Sequence, residues 1–173
     1  MTTTSSHLPF SVSERIGPAT AMAQQIYELF ENTPLFSDFN RQEMETLVFT
    51  MEMFRAVAGT IIIREGQLGD YMILLVSGIV DVRKQDRWNI SKLIGFAGPG
   101  KTLGEMSMID AEPRFATCVV REDILYALLT REAFNNIIRE QPTLGTKLLM
   151  KLVIMLSQRL REISAKLLAF PLT

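Results

Sequence analysis

Eight of the ten glycines lie between residues 52 and 129: Gly59, Gly66, Gly69, Gly78, Gly95, Gly98, Gly100 and Gly104. A long helix does not tolerate that density of glycine. The stretches between them, 61–63, 71–76, 79–82, 90–94, 115–120 and 124–129, are short and rich in Ile, Val, Leu, Tyr and Phe. Short β-prone runs divided by glycine turns predict an all-β sandwich or barrel over about 52–129. No helical period separates them, which excludes alternating β-α-β units. Trp88 falls in the polar run 83–89 and is expected as an exposed side chain at a hairpin tip.

Both flanks read as helical. Ala21, Met22, Ile26, Leu29 and Phe30 repeat at helical spacing, and Asn32 to Pro34 breaks the run. A second helix is expected from Asn40, with Glu43 as its capping-box partner and Met44, Leu47 and Val48 as its buried face. Residues 1–18 carry many Ser and Thr with Pro9 and Pro18, and are expected to be a disordered tail in which His7 has no specific role. After the β zone, Thr130 caps one helix with Glu132 in its first turn, and Pro142 opens another. That last helix runs to about residue 168 with Leu149, Leu152, Leu156, Leu160, Ile163 and Leu167 on one stripe. Leu148, Met150, Val153, Ile154 and Met155 make its first half apolar nearly all round. A helix apolar on every side needs cover on every side, so a homodimer along it is expected. The fold class is therefore α+β, mainly β: one domain over 19–173, with the β zone between N-terminal helices and a long C-terminal helix.

Composition removes several functions. Lys and Arg number 18 against 19 Asp and Glu, a formal net charge of −1, without the basic excess of a nucleic-acid binder. One Cys and one His exclude a disulfide framework, a Cys-rich zinc site, a His-lined cupin metal centre and a Cys–His nucleophile. Cys118 reads as a core thiol. No apolar run approaches the ~20 residues of a membrane span, and the start lacks the features of a secretory signal, so a cytoplasmic location is expected. The run Gly95 to Thr102 matches the phosphate-loop pattern G-x-x-x-x-G-K-[ST], which as an NTPase would use Lys101. Gly104 stands where the first turn of the required helix belongs, and the bland reading is a Gly/Pro turn between strands.

The run 103–117 is Leu-Gly-Glu-Met-Ser-Met-Ile-Asp-Ala-Glu-Pro-Arg-Phe-Ala-Thr. It places the Glu105 carboxylate and the Arg114 guanidinium nine residues apart among small residues. With Gly104, Glu105, Ser107, Pro113, Arg114, Ala116 and Thr117, it resembles the phosphate-binding cassette of cyclic nucleotide-binding domains. Gly59, Ile62, Gly66, Gly69, Asp70, Met72, Leu75, Gly78, Val80 and Val82 are similar to that family's opening strands and turns. Pro99, Gly100, Lys101 and Leu103 match its approach to the cassette. The likeness spans about residues 35–165 and accounts for the phosphate-loop match.

The resemblance implies a double-stranded β-roll, or jelly roll, flanked by the helices, and a non-enzymatic sensor for a cyclic nucleotide, cyclic AMP or cyclic GMP with cyclic AMP preferred, and no other cofactor. Its site would comprise Leu103, Gly104, Glu105, Met106, Ser107, Arg114, Phe115 and Ala116. Arg114 would take the phosphate through paired donors, and Glu105 the ribose 2′-hydroxyl. Backbone amides near Ser107 and Phe115 would complete the cradle. Asp110 and Glu112 should face solvent. In activator-like members the long C-terminal helix gives neighbouring hydroxyls to adenine. The corresponding residues here are Ile163 and Ser164, and only Ser164 keeps a hydroxyl. Phe115 stands where the family has Ala, Ser or Thr, and its ring would narrow the pocket or stack on the ligand. The expected output is a partner protein or the dimer itself, since no DNA-binding segment follows the helix. Two other classes stay open: a ligand-free interaction module, in which Arg114 pairs with Glu105, and the phosphate-loop enzyme.

Overall fold

A computed structural model describes residues 13–168, with side chains to residue 165. Residues 1–12, His7 among them, and the side chain of Leu167 lie outside the described residues. The chain begins with β1 (Glu14–Pro18), a 3-10 turn (Ala19–Met22), α1 (Ala23–Glu31), a second 3-10 turn (Pro34–Phe36) and α2 (Arg41–Thr50). The β zone follows: β2 (Glu52–Ala56), β3 (Ile61–Ile63), β4 (Tyr71–Gln85), β5 (Ser91–Ala97), β6 (Thr102–Leu103), the short helix α3 (Glu105–Asp110) and β7 (Thr117–Thr130). Two helices close it, α4 (Arg131–Glu140) and α5 (Pro142–Leu168).

The strands pair in the order β1-β2-β7-β4-β5, with β3 added to β7 and β6 to β4, all antiparallel. The runs expected at 71–76 and 79–82 are one bent strand, and so are those at 115–120 and 124–129. Gly78 is the reason for the first bend. It has φ +80, and a Cβ there would strike the Asp123 carbonyl. The β4–β7 register slips on both sides of it, which lets one ladder continue through a corner.

The disordered tail expected up to residue 18 is corrected at its end, because Glu14–Pro18 pairs with β2. Only Gly17 of its five residues is buried, and its one large apolar side chain, Ile16, is exposed, so no alternation announces the strand. Cross-strand charge holds this edge instead: Arg15 Nη2 donates to Glu52 at 2.7 Å and Arg55 Nη2 to Glu14 at 2.6 Å. The capping box of α2 forms as expected. Asn40 Oδ1 accepts from the Glu43 amide and Glu43 accepts from the Asn40 amide. Thr130 caps α4 through the Ala133 amide. Trp88 is exposed at the β4–β5 turn.

Strand alternation serves two cores, since both faces of the central strands are covered. Met53, Met72, Leu74, Ala127 and Leu129 face the helices and meet Ile26, Phe30, Phe36, Leu47, Phe134 and Leu148. Their neighbours Phe54, Ile73, Leu75, Tyr126 and Leu128 face into the roll with Ile62, Val80 and Val120. The α5 face that packs on the domain is Leu144, Leu148 and Leu152, with Leu149 partly buried beside it. Of the stripe expected from Leu149 onward, Leu152 is buried, whereas Leu160 and Ile163 are exposed, as are Met150, Val153 and Ile154.

Candidate functional site

The cassette is the connection from β6 through α3 to β7. Leu103 is buried at the end of β6, where it pairs with Ile73 of β4. Gly104 turns the chain in the left-handed region, φ +82, as the N-cap of α3. A side chain there would press on Arg114 Nη1, and one at Gly69 would meet the rest of the guanidinium. These two glycines thus make room for Arg114 beneath the cassette.

Arg114 is 4 % exposed and Glu105 2 %. Arg114 Nη1 donates to the Gly104 carbonyl at 2.8 Å, and the guanidinium carbon lies 4.3 Å from the centre of the Tyr71 ring. Its backbone is fixed on both sides. The Arg114 amide donates to Gln67 O at 2.8 Å and the Gly66 amide to Arg114 O at 2.9 Å. Burial lowers its pKa, yet an arginine in a protein stays charged. Nη2 is buried and has no hydrogen-bond partner.

Glu105 does not pair with Arg114. Its Oε1 accepts from Arg159 Nη1 on α5, and Arg159 Nη2 donates to Thr102 O at 3.0 Å. Glu105 Oε2 is buried and has no partner. Burial pushes this carboxyl above the usual range, with Arg159 opposing. The sign for stability follows. A raised folded-state pKa means that the folded protein holds the proton longer than the unfolded chain. Stability from this group is therefore full below the unfolded value of about 4.3 and is lost as pH rises through the folded value. Glu105→Gln should remove that decline. The check is urea unfolding of both proteins from pH 4 to 8, and parallel curves would refute the assignment.

The structure brings Leu103, Gly104, Glu105, Ser107, Arg114 and Ala116 together; all but Gly104, which is half-buried, are buried. Met106 faces outward. Phe115 is 55 % exposed, and its ring lies 4.3 Å from Lys84 Nζ, which also donates to the Phe115 carbonyl at 2.7 Å. The ring stands out from the segment and does not cover Arg114. Asp110 and Glu112 are exposed, as expected. Ser164 is exposed on α5. It stands about 7.5 Å beyond Arg159 and about 140° round the helix, and is not brought to the cassette.

Two residues of the site, Tyr71 and Arg159, and one outside it, Arg131, escaped the sequence reading. Tyr71 carries Arg114 on its ring and donates its hydroxyl to Ile62 O at 3.1 Å. Arg131 bonds the carbonyls that end α3. Arg159 had a signal: Leu148, Leu152, Met155 and Arg159 follow the helical period, placing one arginine on the face that packs on the domain. The phosphate-loop reading fails on geometry. Lys101 leads into β6, not a helix, and the loop amides are spent on backbone: Gly100 on Leu75 O at 2.8 Å and Lys101 on Gly98 O at 3.1 Å. Cys118 is buried with its thiol pushed up to about 12, which leaves it protonated. Among the described residues no three His, Cys, Asp or Glu side chains group as a metal site, and no helix is long and apolar enough to cross a membrane.

A buried arginine beside a buried carboxylate, in a short helical connection between two strands of a β-roll, is an arrangement that comparison with known proteins places in one family. The cyclic nucleotide-binding domain profile matches residues 53–141. The crystal structure of a cyclic nucleotide-binding domain from Methylobacillus flagellatus superposes with a TM-score of 0.86 at 32 % identity, covering 95 % of this chain and 92 % of that one. The Thermus thermophilus catabolite activator protein gives 0.71 at 29 %, covering 78 % and 62 %. A cAMP-dependent protein kinase regulatory subunit from Aspergillus niger is 31 % identical over 122 residues, which is 66 % of this chain and 28 % of that protein. The chain thus spans less than two thirds of the curated relatives it matches, about a quarter of some and 62 % of the Thermus cyclic AMP receptor protein. The chain belongs to the cyclic nucleotide-binding domain family.

Proposed function

We propose that the cassette binds a cyclic mononucleotide, cyclic AMP in preference to cyclic GMP, and passes that event to α5 as a non-enzymatic sensor. One observation carries this: Arg114 Nη2 and Glu105 Oε2 are both buried without partners, on opposite charges of one short segment. Leaving such atoms unpaired is costly, and a ligand with an anionic phosphate and a neighbouring hydroxyl would satisfy both. The phosphate takes the free donor of Arg114, and the ribose 2′-hydroxyl donates to Glu105 Oε2. Arg159 joins Glu105 to α5, so occupancy of the site and the position of that helix are linked. The preference for adenine rests on the named cyclic AMP-binding relatives. Ile154, Leu160 and Ile163, exposed along α5, suit a second copy of this helix, and the dimer or a partner protein carries the output. A reducing cytoplasm suits the single buried thiol.

Calorimetric titration of nucleotide-stripped protein with cyclic AMP and cyclic GMP tests the reading. We expect one site per chain, micromolar for cyclic AMP and weaker for cyclic GMP. No heat with either ligand from folded protein would leave an interaction module in its place. Sedimentation of the same samples should give a dimer; a monomer at every concentration would remove that part.

A further inference from the structure

We propose that Arg131 is the positioning residue that makes α4 and α5 follow the cassette, an inference that rests on the binding reading above. Helix α3 has six residues, too few to hold itself as a helix. It is held at both ends by arginines from elsewhere. At its N-terminal end the Gly104 carbonyl accepts from Arg114 Nη1 at 2.8 Å and from the Met108 amide at 3.2 Å. At its C-terminal end Arg131 Nε donates to Met108 O at 2.7 Å and Nη2 to Ser107 O at 2.6 Å. Ser107 O also accepts from the Ala111 amide at 3.1 Å, Met108 O lies in the last turn, where helix carbonyls lack amide partners, and the cation also suits the negative end of the helix.

Arg131 is the first residue of α4, directly after its cap Thr130. Its own amide donates to Asp70 O at 2.6 Å, fixing it to the start of β4. One side chain therefore bridges the end of the cassette helix and the beginning of the C-terminal helices. A second contact runs the same way. Met108 of α3 is buried in the core that holds Phe134 and Ile137 of α4 and Leu144, Leu148 and Leu152 of α5.

The consequence is directional. When the free Nη2 of Arg114 takes a phosphate, the same guanidinium still holds the Gly104 carbonyl through Nη1, so a pull on Arg114 is passed to the N-terminal end of α3. The other end stays bonded to Arg131. Any displacement of α3 must carry the start of α4 with it or break two hydrogen bonds from a charged donor. Arg159 links the cassette to α5 from the far side, so the helices are held at two points and Arg131 is the one that follows α3.

Hydrogen exchange on the whole chain, with and without cyclic AMP, separates coupling from plain structural support. In wild type, cyclic AMP should change exchange both in the cassette, 103–117, and in α4 and α5. Arg131→Gln should bind cyclic AMP within about threefold of wild type and keep the cassette change, while the change in α4 is lost. Arg131→Lys, with charge but without the fork, should fall between, and it serves if the Gln variant is poorly folded. An α4 response equal to wild type in both variants would overturn the proposal. A wild type that neither binds cyclic AMP nor changes exchange anywhere would overturn the binding reading itself.

Discussion

Arg114→Ala should lower cyclic AMP affinity at least about 100-fold, which is about 2.7 kcal/mol. The size follows from burial. A charged donor in a desolvated site is worth far more than one at the surface, and truncating a buried charge partner costs about 2–5 kcal/mol or more. Arg114→Lys should recover part of this, because it restores the charge without the planar pair of donors. The fold should survive, since the Gly104 carbonyl keeps the Met108 amide and Tyr71 stays bonded to Ile62. Calorimetry beside a thermal melt checks both halves. Binding within threefold of wild type by a folded Ala variant would remove Arg114 from the site.

Phe30→Ala is expected to have the largest effect on stability, about 3–5 kcal/mol. Phe30 has no exposed surface and stacks on Phe36 with ring centres 3.9 Å apart. It joins α1 to the core shared by Leu47, Met53 and Leu74, where backbone on several sides limits collapse into the space left. In a chain of this length the loss corresponds to a melting point lower by on the order of 10 °C. Urea unfolding gives the value directly. A loss under 1 kcal/mol would mean that α1 packs far more loosely than described.

What could be read from the chain alone was what local chemistry decides. The Asn40–Glu43 box, the Thr130 cap, the exposed Trp88 turn and the cassette run from Leu103 to Thr117 depend on residues near one another. The buried side chain of Cys118 fits its place beside Val119 and Val120 at the start of β7. What escaped depends on distant partners. β1 is a strand because Arg15 and Arg55 find carboxylates across the ladder, and nothing in Glu14–Pro18 shows those partners. Glu105 has Arg159 as its partner, not Arg114, because the long helix returns over the cassette. Which side of α5 packs on the domain also escaped, since the helix is apolar on several sides and only the packed domain selects Leu144, Leu148 and Leu152. Gly78 was taken as a break between strands, although a glycine at φ +80 inside a ladder bends a strand and does not end it.

The long β4–β7 ladder also governs when the site can come into being. Its partners lie tens of residues apart in the chain, from Tyr71 with Thr130 to Arg83 with Thr117, and the cassette is part of the loop that this ladder closes. Closing such a loop is paid for in chain entropy before its contacts form, so folding is slowed by topology. Arg114, Glu105 and Tyr71 meet only after the ladder has zipped. A ligand held by Arg114 and Glu105 would then find its site only once the ladder is in place, and its expected effect is to slow unfolding more than to speed folding.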